Sequence, residues 1–241
     1  MERFDPATSF GAEVAAEYDN APRGDEGPAV EFLSALAAGR PALEFAIGTG
    51  RIGVPLAESG VEVEGIELSP DMVERLREKA SIPVHVGDMT TVATGREYGV
   101  VYLVFNTIFN LLTADDQIRC FENAARHLTE DGVFVIEAAI PRAWVDERKP
   151  NYVEAEHVGF DRVTFDVARY DPVTQLLEEN HVRLTPQGIR FQPIVCRLVT
   201  PGELDLMARL AGLRLVDRFG GWHGEPFTGT SLAHVSVYGR A

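Results

Sequence analysis

Cysteine is scarce in this chain. Cys120 and Cys196 are the only two among 241 residues, and they stand far apart in unlike contexts without metal-ligand spacing. They read as two reduced, buried thiols, which argues against a disulfide-stapled fold or a cysteine-based metal site and suits the cytoplasm. Long apolar runs are missing as well, so no segment reads as a membrane span. The opening stretch MERFDPATSF lacks the basic and apolar regions of an export signal. Basic residues are outnumbered: 22 Lys and Arg against 37 Asp and Glu leave a net charge of −15. No basic stripe interrupts that acidic surface, which argues against nucleic acid and anionic membranes as partners. Repeats and low-complexity tracts are also absent. A single domain with one insertion, monomeric or a homodimer, is the expectation.

What is present is organised around residues 42–69. Leu43 to Ile47 is an apolar run bearing one carboxylate, Glu44, and Gly48-Thr49-Gly50 follows where a strand turns into a helix. Gly48 can adopt positive φ without a Cβ clash, and Gly50 lets a ligand approach unpaired backbone amides. Ile52, Val54, Leu56 and Ala57 supply the helix's apolar face, and Gly60 ends it. A second strand runs from Val61 to Glu67 and finishes on a carboxylate. Standing 19 positions after Gly48, that acid occupies the place where a ribose diol would donate hydrogen bonds to it, so the ligand is a nucleoside. The string Gly48-x-Gly50-x-x-Gly53 also matches a dinucleotide fingerprint, which keeps a pyrophosphate in view. Glu44 argues against it, because a carboxylate beside the turn repels phosphate yet can organise a site for a cationic aminoacyl group. S-adenosylmethionine carries such a group.

The remaining chain alternates strand and helix. A short helix from Ser9 to Tyr18 precedes a turn at residues 19–24, and Tyr18 is placed either over the ligand or on the core. Val30, Leu33, Leu36 and Ala37 stripe the next helix. Ser69-Pro70-Asp71 starts another, and Pro83 to Val86 leads into Gly87-Asp88-Met89, where Asp88 could accept an adenine amine while Met89 packs near the ring. Val100 to Phe105 is the apolar run expected of a central parallel strand, and it delivers Asn106 and Asn110 to the sheet's carboxyl edge. Thr113 caps a helix, and Asp131-Gly132 turns the chain into Val133 to Ala138. This βα alternation predicts a Rossmann-like doubly wound sheet, mostly parallel. After Pro141 the rhythm becomes that of three antiparallel strands within residues 141–199, an insertion expected to act as a lid over substrate. Residues 200–241 then return to the first domain with a helix and two strands, the last antiparallel. The first domain is thus assigned 1–140 and 200–241.

Taken together, the chain resembles the class I S-adenosylmethionine-dependent methyltransferases over nearly its whole length. Residues 44–50, EFAIGTG, are similar to that family's acidic-glycine motif; residues 65–72, GIELSPDM, to its ribose motif; and Gly87-Asp88-Met89 to its adenine motif. The resemblance implies that Glu67 binds the ribose hydroxyls, that Leu68, Asp88 and Met89 hold adenine, and that Gly48, Thr49 and Gly50 cradle the methionine part. It also sets Tyr18, Glu44 and Phe105 beside the cofactor. A narrower resemblance, to bacterial small-molecule N-methyltransferases acting on amino sugars, rests on the antiparallel insertion and on Tyr18. Those enzymes carry a histidine where this chain has Asn110.

The activity expected is methyl transfer from S-adenosyl-L-methionine to nitrogen or oxygen of a small molecule. A sulfonium is already activated, so an amine acceptor needs chiefly orientation, which Asn106 and Asn110 are placed to give. A hydroxyl acceptor needs a general base, for which His223 and Glu225 are the candidates, with His157 and His181 behind them. No metal is called for. An NAD(P)-dependent oxidoreductase using the same glycine string and a non-catalytic nucleoside-binding protein stand as alternatives.

Overall fold

Seven strands build the main sheet of the computed structural model, which describes residues 4, 9–20, 23–146 and 148–241. Of the turn expected at residues 19–24, Ala21 and Pro22 lie outside the described residues. A short helix α1 (Ala12–Glu17) and a longer α2 (Glu26–Ala37) precede the sheet. Strands β1 (Ala42–Phe45), β2 (Val63–Glu67), β3 (Val84–Val86), β4 (Tyr98–Leu103) and β5 (Leu128–Ala139) are all parallel where they pair. Helices α3 (Gly53–Glu58), α4 (Pro70–Lys79) and α5 (Ala114–Arg126) connect them, and α6 (Pro201–Leu210) leads to β10 (Leu213–Phe219) and β11 (Ala233–Arg240). The order is β10-β11-β5-β4-β1-β2-β3, with β11 antiparallel to both neighbours. β10 therefore runs in the same direction as β5 and delivers the loop at residues 220–232 to the carboxyl edge.

Local chemistry explains the helix starts. The Ser69 hydroxyl accepts the Met72 amide at 3.3 Å, Thr113 accepts that of Asp116 at 3.0 Å, and Thr200 with Glu203 forms a complete capping box. Alternation along the strands sorts apolar side chains onto two faces. Leu43, Phe45, Leu103 and Ile136 enter one core, and Ala42, Val100, Tyr102 and Val135 the other. Two expectations are corrected. Asp131-Gly132 is not a turn before a strand but a bulge inside β5, since Tyr98 pairs with Leu128 and Val100 already with Val133. A Cβ on Gly132 would come within 2.8 Å of the Tyr98 carbonyl, which is why glycine sits at the bulge.

The insertion has four antiparallel strands where three were expected: β6 (Asn151–Val158), β7 (Val163–Asp171), β8 (Leu176–Thr185) and β9 (Gly188–Arg197), paired in chain order. β6 escaped notice because Glu154, Glu156 and His157 are poor strand formers and nearly all its side chains are exposed. It is an edge strand, where charges discourage pairing with other chains. The sheet does not stand apart from the main core. Ala168, Tyr170, Leu177 and Cys196 pack in one cluster with Ile108, Phe109 and Leu198. Removing one of these anchors should therefore destabilise the whole chain. Leu177→Ala should cost about 2–5 kcal/mol in denaturant unfolding, followed by near-UV circular dichroism, within a single transition. A separate early transition would show instead that the sheet folds on its own.

Candidate active site

Four strand ends meet at one cavity of about 410 Å³ at the carboxyl edge of the sheet. Ala46 follows β1, Ile66, Glu67, Leu68 and Ser69 close β2, Gly87, Asp88 and Met89 follow β3, and Thr107, Asn110, Leu111 and Leu112 lie beyond β4. Asp116 of α5 and Phe10 complete the wall. Such a volume at this edge is typical of a small-molecule site in a doubly wound fold.

Glu67 is the organising group. Its Oε2 accepts the Gly48 amide at 2.8 Å and its Oε1 the Ser69 amide at 2.8 Å, so one carboxylate ties the glycine turn to the start of α4. Each oxygen keeps a lone pair for a further donor. Burial raises its proton affinity despite the amides, leaving the group 7% exposed and facing the cavity. Asp88 spends one oxygen on the Thr90 amide at 2.7 Å, while the other has no partner among the described residues. Ile66, Leu68, Met89 and Leu111 supply apolar walls between these two acids. Two hydrogen-bond acceptors flanking an apolar slot fit a ribose diol and an adenine ring with its amine, so these residues are suited to hold S-adenosylmethionine.

Other expected positions stand around the cavity rather than in its wall. Glu44 lies beneath the turn, accepts the Tyr102 hydroxyl at 3.0 Å, and is pushed by burial up to about 8. Its Oε2 would stand 2.7 Å from a Cβ at Gly53, so the third glycine of the string lets this acid reach the start of α3. Gly50, at φ +83°, is required by the protein's own packing as well: its Cβ would meet Val54 at 2.6 Å and Leu76 at 3.2 Å. The Thr49 hydroxyl donates to Asp19 at 2.7 Å. Tyr18 and Phe105 sandwich the Arg23 guanidinium, 4.7 Å and 3.8 Å from their ring centroids. Asn106 is engaged elsewhere: its amide oxygen accepts the Ala139 N–H at 2.5 Å, so only Asn110 of the pair reaches the cavity. His223 and Glu225 are exposed on the loop after β10, the His223 amide donating to Glu225 at 3.1 Å, and neither lines the cavity.

Sequence reasoning passed over Arg23 and Arg51. Arg51 follows the glycine turn, pairs with Asp25 and Glu26, lies 5.0 Å from the Phe105 ring, and keeps Nη2 buried without a partner. These two cations could meet a carboxylate at the methionine end. Only the position of Arg51 directly after the glycine turn could have signalled it, since isolated arginines in a charged sequence are common.

Comparison with known proteins agrees with this geometry. Residues 42–132 match a family model described as a methyltransferase domain. The chain superimposes on the CcbJ methyltransferase from Streptomyces caelestis with a TM-score of 0.92 and 37% identity, covering 99% of this chain and 100% of that one. This chain belongs to the class I S-adenosylmethionine-dependent methyltransferases. The methyltransferase is also 29% identical to the cypemycin N-terminal methyltransferase of a Streptomyces species over 84% of each chain. Against dTDP-3-amino-3,6-dideoxy-alpha-D-glucopyranose N,N-dimethyltransferase of Streptomyces fradiae it is 36% identical, over 47% of this chain and 44% of that one. The oxidoreductase and non-catalytic readings find no support here.

Two consequences follow from these acids. Glu67→Ala should weaken S-adenosylhomocysteine binding by roughly 10-fold or more in calorimetry, and should also lower stability by about 1–3 kcal/mol because two amides lose their acceptor. Wild-type affinity would detach Glu67 from the cofactor. Glu44 works through pH. It holds a proton in the folded chain where the unfolded chain, near 4.5, has already lost it. Its contribution to stability is therefore complete below that value and lost as the pH rises towards about 8. Glu44→Gln should flatten the stability loss between pH 5 and 8 in denaturant titrations, and an unchanged slope would refute the assignment.

Proposed function

We propose that this methyltransferase transfers the methyl group to an amine nitrogen of a small molecule. The observation that carries this reading is electrostatic: every ionisable side chain in the cavity wall is a carboxylate, and besides Glu67 and Asp88, which are suited to the cofactor, the wall carries Asp116. Such a site attracts an ammonium group and repels an anion. The named relatives are consistent with it, since two of them are N-methylating enzymes by description. When bound, S-adenosylmethionine supplies a methyl group already activated by its sulfonium.

The chain's own residues then have to bind, align and exclude water. Asn110 presents an amide in the cavity wall, and its Oδ1 accepts the Cys196 thiol at 3.8 Å, which ties it to the inserted sheet. An amide cannot take a proton at neutral pH, so its part is to orient the acceptor. The inserted sheet, taken as residues 141–199, closes over the acceptor, and His223 and Glu225 are left outside the proton path.

A panel of amines and matched alcohols, including amino sugars and peptide N-termini, should give labelled methyl product only with the amines. With an amine acceptor, Asn110→Ala should lower turnover by about 10²-fold through misalignment, with S-adenosylhomocysteine affinity retained. His223→Ala and Glu225→Ala should stay active. Methylation of the alcohols with a roughly 10²- to 10⁴-fold loss in His223→Ala would replace this reading by O-methylation.

A further inference from the structure

The inward face of the inserted sheet carries a second constellation. Side chains alternate along β8, so Leu177, Glu179, His181 and Arg183 share one face. Both ends of that face are anchored. Leu177 is buried in the main core opposite Cys196, whose thiol touches Asn110. Arg183 and its cross-strand partner Arg190 bind Glu17 at 3.1 and 3.2 Å, and Arg190 also binds Glu13 at 2.6 Å. Those acids belong to α1, which begins just after Phe10 of the cavity wall. His181 stands four residues from Leu177, about 13 Å along the strand, between an anchor on one cavity residue and an anchor beside another. It lies on the sheet face whose two ends meet Asn110 and α1.

His181 is oriented. Its Nδ1 is 2.5 Å from Asp166 Oδ1 on β7, with Glu156 Oε1 of β6 at 3.7 Å, and Nε2 has no partner among the described residues. A carboxylate on Nδ1 fixes the tautomer that carries its proton there and leaves Nε2 bare. Nucleophile-activating bases in enzymes share this arrangement.

We propose that His181, held by Asp166, is the base that deprotonates the acceptor amine; the assignment rests on the amine reading given above. The acceptor enters as an ammonium ion, drawn by Glu156, Asp166 and Glu179. One N–H bond breaks and its proton passes to His181 Nε2. The freed lone pair forms the bond to the methyl carbon while the carbon–sulfur bond breaks, its electron pair staying on sulfur. The methylated product leaves as a cation, and the imidazolium returns its proton to water. Asp166 is a positioning residue, and Glu156 helps it to stabilise the imidazolium. The groups facing His181 are Glu154, Glu156 and His157 on β6, Asp166 on β7, Glu179 and Arg183 on its own strand, Arg190 on β9, and Glu13 and Glu17 on α1. Tyr152 donates to Glu179 at 3.1 Å. The arginines are paired with α1, so the field at the imidazole is that of the acids.

Nitrogen-15 spectra of the histidine-labelled full chain test the geometry without any acceptor. The neutral His181 ring should carry its proton on Nδ1 in the wild type and shift towards the Nε2–H tautomer in Asp166→Ala. An Nε2–H ring in the wild type would overturn the proposal. The kinetic arm uses an amine methylated in the panel above. His181→Gln should lose roughly 10²- to 10⁴-fold in kcat/KM at neutral pH, regain rate as the pH approaches the amine's own pKa, and bind S-adenosylhomocysteine like the wild type. Added imidazole should restore rate to His181→Gly, and binding of the same ligand reports that this variant is folded. Wild-type rates in His181→Gln, or a loss independent of pH, would overturn the base alone. A wild type that methylates no amine would overturn the amine reading and the base with it.

Discussion

A single buried carboxylate holds the cofactor end together. Glu67 ends β2 where the chain must leave the sheet, and there it accepts one amide from the turn after β1 and one from the start of α4. Both amides would otherwise be unpaired, as helix-entry amides usually are. Two connections from neighbouring strands thus share one anion, and the cavity wall between them is fixed by it. Ser69 extends the same knot: its hydroxyl caps α4 and also donates to the Phe10 carbonyl at 2.7 Å, fastening the segment ahead of α1.

From that knot the N-terminal segment spans the site. Asp19 takes the Thr49 hydroxyl from the glycine turn and pairs with Lys79 of α4, while Glu13 and Glu17 reach Arg183 and Arg190 on the inserted sheet. α1 therefore links the two sheets through charge, whereas the base of the inserted sheet joins the core through apolar packing around Leu177 and Cys196. The two attachments differ in kind. Burying Leu177 is worth kilocalories, while an exposed ion pair contributes about 0–1 kcal/mol.

The placing of Glu67 and Asp88 at one cavity could be read in the sequence because each such residue is chemically out of place. Glu67 and Asp88 are acids at the ends of apolar runs, and Gly48 stands where no side chain fits easily. The acceptor half was harder to read, for reasons of register. His181 and Asp166 lie 15 positions apart and meet only once β7 and β8 pair, and no periodicity in either strand announces that meeting. β6 was missed because its charges hide the strand pattern. Asn106 misled because a polar residue at the end of β4 reads as a ligand contact. Its φ of +61° and its bond to Ala139 show a turn residue instead.

The division between halves has a chemical basis. The cofactor is the same throughout such enzymes and needs fixed acceptors, a need suited by strand ends of the buried sheet, where backbone hydrogen bonding sets positions rigidly. The acceptor has to enter, lose a proton and leave. Groups that serve it are better carried by a sheet whose base is packed and whose far end is held only by surface charge. His181 lies between those two ends, close enough to the packed base for Asp166 to fix its ring, and close enough to the charged end for solvent to take the proton away. That placement lets one strand combine a rigid imidazole with an open route for substrate.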